Sequence, residues 1–139
     1  MSKDMDTRLQ QAIRDEEERA SLRQQGLRES ARLAEEKFRP VRQAAEELHH
    51  RLASVPSIEL TINPDSVWIT LADREFRFGY NLGSRRFVGE ESAHSWYDGD
   101  AYTYRYEWDN AEACIESLIR LCARYIRMAR AISPSAKEG

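Results

Sequence analysis

The side chains best suited to chemistry lie in one short stretch, from Glu90 to Asp100. It holds two pairs of acidic residues and one imidazole, His94. A histidine beside carboxylates can work as a general acid–base pair, and carboxylates can also bind a hard cation. The acidic spacing matches no known ion-binding loop, and Asp98-Gly99 is a strong signal for a two-residue hairpin turn. The sequence therefore favours a turn, with a small enzyme built on His94 as a rival interpretation.

The other histidines and the two cysteines indicate no metal or redox site. His49 and His50 are adjacent, so on a helix they point about 100° apart and cannot both face one metal ion. Cys114 and Cys122 are eight residues apart on one predicted helix, about 12 Å along its axis, which is too far for a disulfide. We expect no catalytic residue, no cofactor and no metal, and thus a protein that is not an enzyme.

Arginines supply the remaining candidate binding groups. Arg120, Arg124 and Arg127 follow at spacings of four and three on one face of the last predicted helix. Such a stripe suits phosphate or acidic-protein binding, but it is also typical of a solvated face near the negative end of the helix dipole. The chain has 21 basic and 24 acidic residues and a net charge of −3, which gives no general argument for nucleic acid or membrane.

Composition indicates one domain with an extension. The chain has 139 residues, of which 41% are hydrophobic and 32% charged; the charged share exceeds the roughly 25% of an average domain and predicts long solvated helix faces. The amino terminus is polar, and no run of about 18 apolar residues occurs. With two cysteines that cannot pair within one helix, we expect a cytoplasmic protein without a membrane partner.

The element that organises the chain is a predicted helix from about Asp4 to Ser54. Up to about residue 26 it is almost entirely polar, so this part either frays or orders on binding. Its second half carries a heptad seam, the spacing that keeps one helix stripe against a partner. We predict an oligomer interface from this seam, and packing of the seam on its own domain is the alternative. The seam comprises Leu27, Ala31, Ala34, Phe38, Val41, Ala45, Leu48 and Leu52.

The length of this helix makes its packing informative. About 50 helical residues would extend about 75 Å, whereas the remaining residues would fold to a body roughly 25–30 Å across. The helix must then project, fold back at Gly26 or Pro40, or pair with another chain. Because the seam stays in phase across Pro40, a kinked helix is favoured over a true turn.

Alternating apolar residues predict four or five antiparallel strands between residues 57 and 108, with one apolar and one polar face. Trp68 on the polar face is notable, since an exposed tryptophan often marks an interface. After the strands, Asp109 is predicted to cap a final helix, with Glu112 completing a capping box. The candidate partner surface consists of Trp68, Arg77, Arg105, Trp96, Arg120, Arg124 and Arg127.

These elements predict an α+β fold, in which the last helix covers the apolar face of a meander sheet. The expected organisation is a helical extension at 1–25, the seam helix at 26–55, sheet plus helix at 56–133 and a loose tail at 134–139. The function expected from this architecture is non-enzymatic protein–protein interaction by an adaptor, chaperone or inhibitor that forms a homodimer through its helices. The alternative is a nucleic-acid-associated regulator that uses the arginine-rich helix face.

Overall fold

A computed structural model of the chain describes residues 2–94 and 101–132. The fold is α+β, and its five strands form one open antiparallel sheet in the order β1-β2-β3-β4-β5. The predicted fold class and meander are therefore confirmed. The elements are α1 (Lys3–Ala53), β1 (Ile58–Ile62), β2 (Ser66–Leu71), β3 (Arg74–Asn81), β4 (Arg86–His94), β5 (Ala101–Trp108) and α2 (Ala111–Ile132).

The chain divides into two compact units, one ending at Leu33 and the other beginning at Ala34. The first unit is the amino-terminal part of α1, and no side chain between residues 2 and 33 is buried. Asp4 lies in its first turn, where a negative charge is favourable to the helix dipole. The helix continues without a break through Pro40, so the alternative of a chain reversal there is excluded.

The second unit has one hydrophobic core, which lies between the apolar face of the sheet and two helical stretches. The seam residues that follow residue 37 belong to this core, and Phe38 and Val41 are completely buried. Packing of this stretch on its own domain, which the sequence had left open, is therefore observed. The buried core residues from the helices are Phe38, Val41, Ala45, Leu52, Cys114, Leu118, Leu121, Cys122, Tyr125 and Ala129.

The strand register separates the two faces of the sheet. Leu60, Ile69, Phe76, Glu91 and Tyr104 are successive partners across all five strands, so these side chains share the apolar face. A second row on the same face, two residues along each strand, consists of Ile62, Val67, Phe78, Gly89 and Tyr106. Glu91 therefore occupies an inward-facing position in the sheet, which the sequence did not predict.

Turn residues fix this register. The amide nitrogen of Asn63 donates to the carbonyl oxygen of Ser66 at 2.8 Å, which closes the turn between β1 and β2. Asn81 Oδ1 accepts hydrogen bonds from the backbone nitrogens of Gly83 and Ser84, and this side-chain-to-backbone pattern is typical of asparagine in turns. The turns after β1 and β3 are thus built from residue types that favour turns.

The start of α2 differs from the sequence prediction. Asn110, not Asp109, is the capping residue, because Asn110 Oδ1 accepts a hydrogen bond of 2.8 Å from the backbone nitrogen of Ala113. The carboxylate of Asp109 instead pairs with Arg86 Nη2 on β4 at 3.1 Å. Both residue types can cap a helix. The prediction of Asp109 as the cap was therefore wrong by one residue, and Asn110 has no capping-box partner because the third residue after it is Ala113.

The strand that precedes β5 continues beyond Gly89, as the Asp98-Gly99 hairpin signal favours. β4 extends through Glu90 and Glu91 to His94, so part of the acidic stretch from Glu90 to Asp100 is regular strand. Its remaining part, including Asp98-Gly99, lies outside the described residues. None of the described helices is long and apolar enough to cross a bilayer.

Candidate functional site

The most exposed aromatic side chains of the described sheet lie on β5. Tyr104 and Tyr106 point to the apolar side but are 55% and 41% exposed, and Trp108 is half-buried beside them. The period-2 alternation of a strand places all three on one side. β5 is also the last strand in the sheet order, so its outer edge has no strand partner among the described residues. We call Tyr104, Tyr106 and Trp108 the aromatic row.

Stacking holds the aromatic row against the sheet. The ring of Tyr106 lies 5.8 Å from that of Phe76 and 6.3 Å from that of Trp108, and Trp108 lies 5.7 Å from Phe78. These centroid distances are within the range of favourable offset stacking, which is worth about 0.5–1.5 kcal/mol per pair beyond area burial. Tyr106 and Trp108 are thus held in place by the rings that they contact.

Gly89 on β4 makes room for this stacking. A Cβ atom at Gly89 would lie 2.5 Å from Trp108 Cη2 and 2.9 Å from Phe76 Cε1, distances that real contacts do not reach. Both rings therefore cover the space that a side chain at this position would fill. Glycine is required here for close approach of the rings, not for an unusual backbone angle.

A groove of about 260 Å³ runs between the aromatic row and α2. Its floor and one wall are aromatic, and α2 supplies the other wall. Arg120 and Arg124 on α2 place guanidinium groups at its side. The residues that line it are Phe76, Tyr106, Trp108, Ser117, Arg120, Leu121 and Arg124. The groove therefore combines apolar surface with positive charge, a combination suited to a ligand that carries both apolar and acidic groups.

A buried carboxylate anchors α2 beside this groove. Glu91 is only 5% exposed, and its oxygens face Arg124 Nη2 at 3.0 Å and Arg74 Nη1 at 3.7 Å. Two cations for one buried anion offset much of its loss of hydration. The pair joins β4 to α2 through Arg124, which also lines the groove.

Tyr125 lies under the same cluster and is completely buried. Its hydroxyl has no hydrogen-bond partner among the described residues. Burial, supported by the nearby negative charge of Glu91, raises the pKa of Tyr125 to about 12. The phenol therefore stays protonated at neutral pH, and its enclosed position leaves no route for a substrate to reach it.

The partner surface predicted from the sequence is divided between the two sides of the sheet. Trp68, Arg77 and Arg105 fall in one row on the polar side, since Trp68 pairs with Arg77, Arg77 with Glu90 and Glu90 with Arg105. The Arg77 guanidinium lies 5.2 Å from the Trp68 ring centre, and Arg105 Nε lies 3.7 Å from Glu90 Oε2. Each of the two arginines thus contacts a neighbouring side chain of the same row on the polar face.

The remaining predicted partner residues are placed differently. Arg120 and Arg124 line the groove on the apolar side of the sheet, and Arg127 is exposed further along α2. Arg120 also pairs with Glu116 at 2.7 Å, one helical turn earlier. Trp96 lies outside the described residues. The predicted partner residues thus form two separate groups, one on the polar face of the sheet and one on α2, and not one continuous surface.

The predicted oligomer interface is also divided. Phe38, Val41, Ala45 and Leu52 are buried in the core, and Ala34 and Leu48 are half-buried. Leu27 and Ala31 are exposed. A homodimer interface through the whole seam stays a prediction, but four of its eight side chains already pack within the chain.

No group of three or more potential metal ligands occurs among the described residues. Comparison of the chain with protein-family models, with curated proteins and with solved structures finds no match.

Proposed function

We propose that this chain is a non-enzymatic protein–protein interaction module, of the adaptor, chaperone or inhibitor type, that binds an extended acidic segment of another protein along β5. The observation that carries the proposal is the exposed aromatic row on an edge strand. An edge strand presents unpaired backbone N–H and C=O groups, which an incoming strand can pair with. Exposed aromatic side chains beside such an edge are typical of binding surfaces.

The chemistry of the surface selects the partner. Alternate side chains of an added strand would face the apolar side and pack against Tyr106 and Trp108. Carboxylates in the same strand would meet Arg120, whose present pair with Glu116 is exposed on both sides and therefore weak and exchangeable. Arg127 adds a further exposed cation. A segment with alternating apolar and acidic residues matches both features.

A nucleic-acid-associated regulator is the second candidate, because Tyr106 and Trp108 lie beside Arg120 and Arg124, and single strands bind to aromatic rings and cations in combination. Two observations favour protein instead. Arg124 is held by the buried Glu91, which leaves less positive charge for phosphates. The chain has a net charge of −3, so it lacks the broad excess of basic residues that attracts a long polyanion, whereas a short acidic segment needs only the cations beside the groove.

The proposal includes self-association through the helical part of the chain and a cytoplasmic location. Self-association is supported by exposed apolar residues along the first unit, such as Leu9 and Leu27. A cytoplasmic location is supported by Cys114 and Cys122, which are free thiols, the state that a reducing compartment maintains.

The decisive experiment uses peptides selected from a random displayed library against the full chain. We expect the selected sequences to alternate apolar and acidic residues. Their affinity, measured by fluorescence polarisation, should fall about tenfold or more in Tyr106→Thr and in Arg120→Glu, a loss of about 1.4 kcal/mol or more. Threonine keeps the strand propensity at position 106. Arg77→Gln, on the polar side of the sheet, is the matched control and should bind normally.

Backbone pairing has its own test. Replacing alternate backbone N–H groups of a selected peptide by N-methyl groups should abolish binding, because the added strand could no longer donate to β5. Binding that survives both N-methylation and the two surface substitutions would contradict the proposal. Salt-sensitive binding of single-stranded DNA that disappears in Arg120→Glu would favour the regulator instead.

A further inference from the structure

An exposed apolar stripe runs along one face of the first unit. Leu9, Ile13, Ala20 and Leu27 follow at spacings of four, seven and seven residues, which keeps them on one face of a helix. Leu9, Ile13 and Leu27 are 50%, 49% and 70% exposed. The side chains that border one shallow depression on this face are Leu9, Ala12, Ile13, Glu16, Glu17, Ala20 and Arg23. From Leu9 to Leu27 the stripe covers 19 residues of α1, nearly three heptads.

Two of the three charged residues that border this depression, Glu16 and Arg23, have informative positions. Glu16 lies four residues before Ala20 and Arg23 lies three residues after it, so opposite charges are almost symmetric about Ala20. The Glu16 carboxylate contacts Arg19 at 3.3 Å, and both side chains are exposed. Such a pair contributes little and can be exchanged for a better one. Arg23 has no ion pair within the described part of the chain.

We infer that a second copy of this chain docks on the stripe, with its helix antiparallel and Ala20 near the two-fold axis. In this arrangement Glu16 of each copy faces Arg23 of the other, and Ile13 faces Leu27. A parallel, in-register pair would instead bring Glu16 against Glu16 and Arg23 against Arg23, and like charges at such positions are unfavourable. The inference rests on the proposed self-association and gives it a place and a direction.

The direction is tested by disulfide formation in the full chain. Ile13→Cys and Leu27→Cys are prepared separately, mixed and oxidised mildly. We expect a mixed disulfide between the two variants and none within either alone. In the antiparallel pair, like positions are fourteen residues apart, about 21 Å along the axis, which is beyond disulfide reach. The wild-type chain is the control for Cys114 and Cys122, which are both buried.

The charges are tested by the dissociation constant of the dimer, measured by sedimentation equilibrium. Glu16→Arg and Arg23→Glu should each weaken the dimer about tenfold or more, and the combined variant Glu16→Arg/Arg23→Glu should recover wild-type association. Glu18→Arg, on the opposite side of the helix, is the matched control and should have no effect.

The alternative outcomes separate the inference from the proposal on which it rests. A disulfide within Ile13→Cys alone would show a parallel pair and overturn the inference. A stable dimer that gives no mixed disulfide would overturn the antiparallel docking and leave self-association to another surface. A chain that is monomeric at all concentrations would overturn both, while the peptide-binding experiment on β5 would still be decided by its own variants.

Discussion

Gly89 shows how one residue position controls a surface on the neighbouring strand. The rings of Trp108 and Phe76 occupy the space above it, because a Cβ atom there would be closer to both than contact allows. These rings are rigid parts of a stacked set, so they cannot move aside as the end of a flexible chain could. The absence of a side chain at Gly89 therefore determines where the aromatic row lies.

We predict different effects for two glycine substitutions of the same kind. Gly89→Ala should lower the free energy of unfolding by about 1–3 kcal/mol, since the added methyl group displaces packed rings. Gly26→Ala should leave that free energy nearly unchanged, because residues 2–33 bury no side chain. It should instead raise the helical content, since alanine is the better helix former and would have no neighbour within 4 Å at this position. Urea unfolding measures the first effect and circular dichroism the second. A neutral Gly89→Ala variant would contradict the close packing described here.

At the scale of elements, α2 is attached to the sheet by apolar packing and by one charged contact. Leu118, Cys122 and Tyr125 fill the core, while Glu91 on β4 holds Arg124. The charged contact is asymmetric, because the carboxylate is buried whereas both arginines reach solvent. Removing the cations would leave a buried charge without a partner, but removing the anion leaves cations that water can solvate.

This asymmetry predicts unequal losses of stability. The double variant Arg74→Met/Arg124→Met should lose about 3 kcal/mol, because an unpaired buried carboxylate is strongly destabilising. Glu91→Gln should lose about 1 kcal/mol, close to the cost of one weakened hydrogen-bonded contact. Thermal or urea unfolding of the two variants at neutral pH gives the comparison. A larger loss in Glu91→Gln than in the double variant would show that the arginines, and not the carboxylate, need the contact.

At the scale of the whole molecule, α1 contributes to both compact units. Residues 2–33 bury no side chain, whereas Phe38, Val41, Ala45 and Leu52 are part of the core. The second half of this continuous helix is thus needed for the core, and the side chains of its first half remain available for contacts with other molecules. The boundary between the units falls between Leu33 and Ala34.

Shortened chains should separate these two roles. A chain that begins at Ala34 should fold with a stability close to that of the full chain, because no buried side chain is lost. A chain that begins at Ser57 should fail to fold, because it lacks the four core residues of α1. Removal of a large core side chain costs several kcal/mol, and the combined loss is comparable with a total stability of about 5–15 kcal/mol. Circular dichroism and thermal unfolding distinguish the outcomes. Cooperative unfolding of the Ser57 chain would contradict this assignment of the core.

Local patterns were sufficient for most of the fold and insufficient for the site. The period-2 alternation of Ile58, Leu60 and Ile62 predicted a strand correctly. The apolar face with Leu118, Cys122 and Tyr125 predicted the last helix correctly. Both patterns show which side of an element faces a core. The exposure of Tyr106 was not predicted, since it depends on how much of the sheet α2 covers. Glu91 was missed for a related reason, as its burial follows from contacts with Arg74 and Arg124 that are distant in sequence.

The two cysteines of α2 have a consequence for damage to the protein. Cys114 and Cys122 are buried, and burial raises their pKa values to about 12 and about 11. Because the thiolate is the form that oxidants attack, the sulfur atoms of a folded copy are almost inert. Oxidative modification of Cys114 and Cys122 would then occur mainly in unfolded copies. A modified cysteine would therefore be evidence that the molecule had been unfolded.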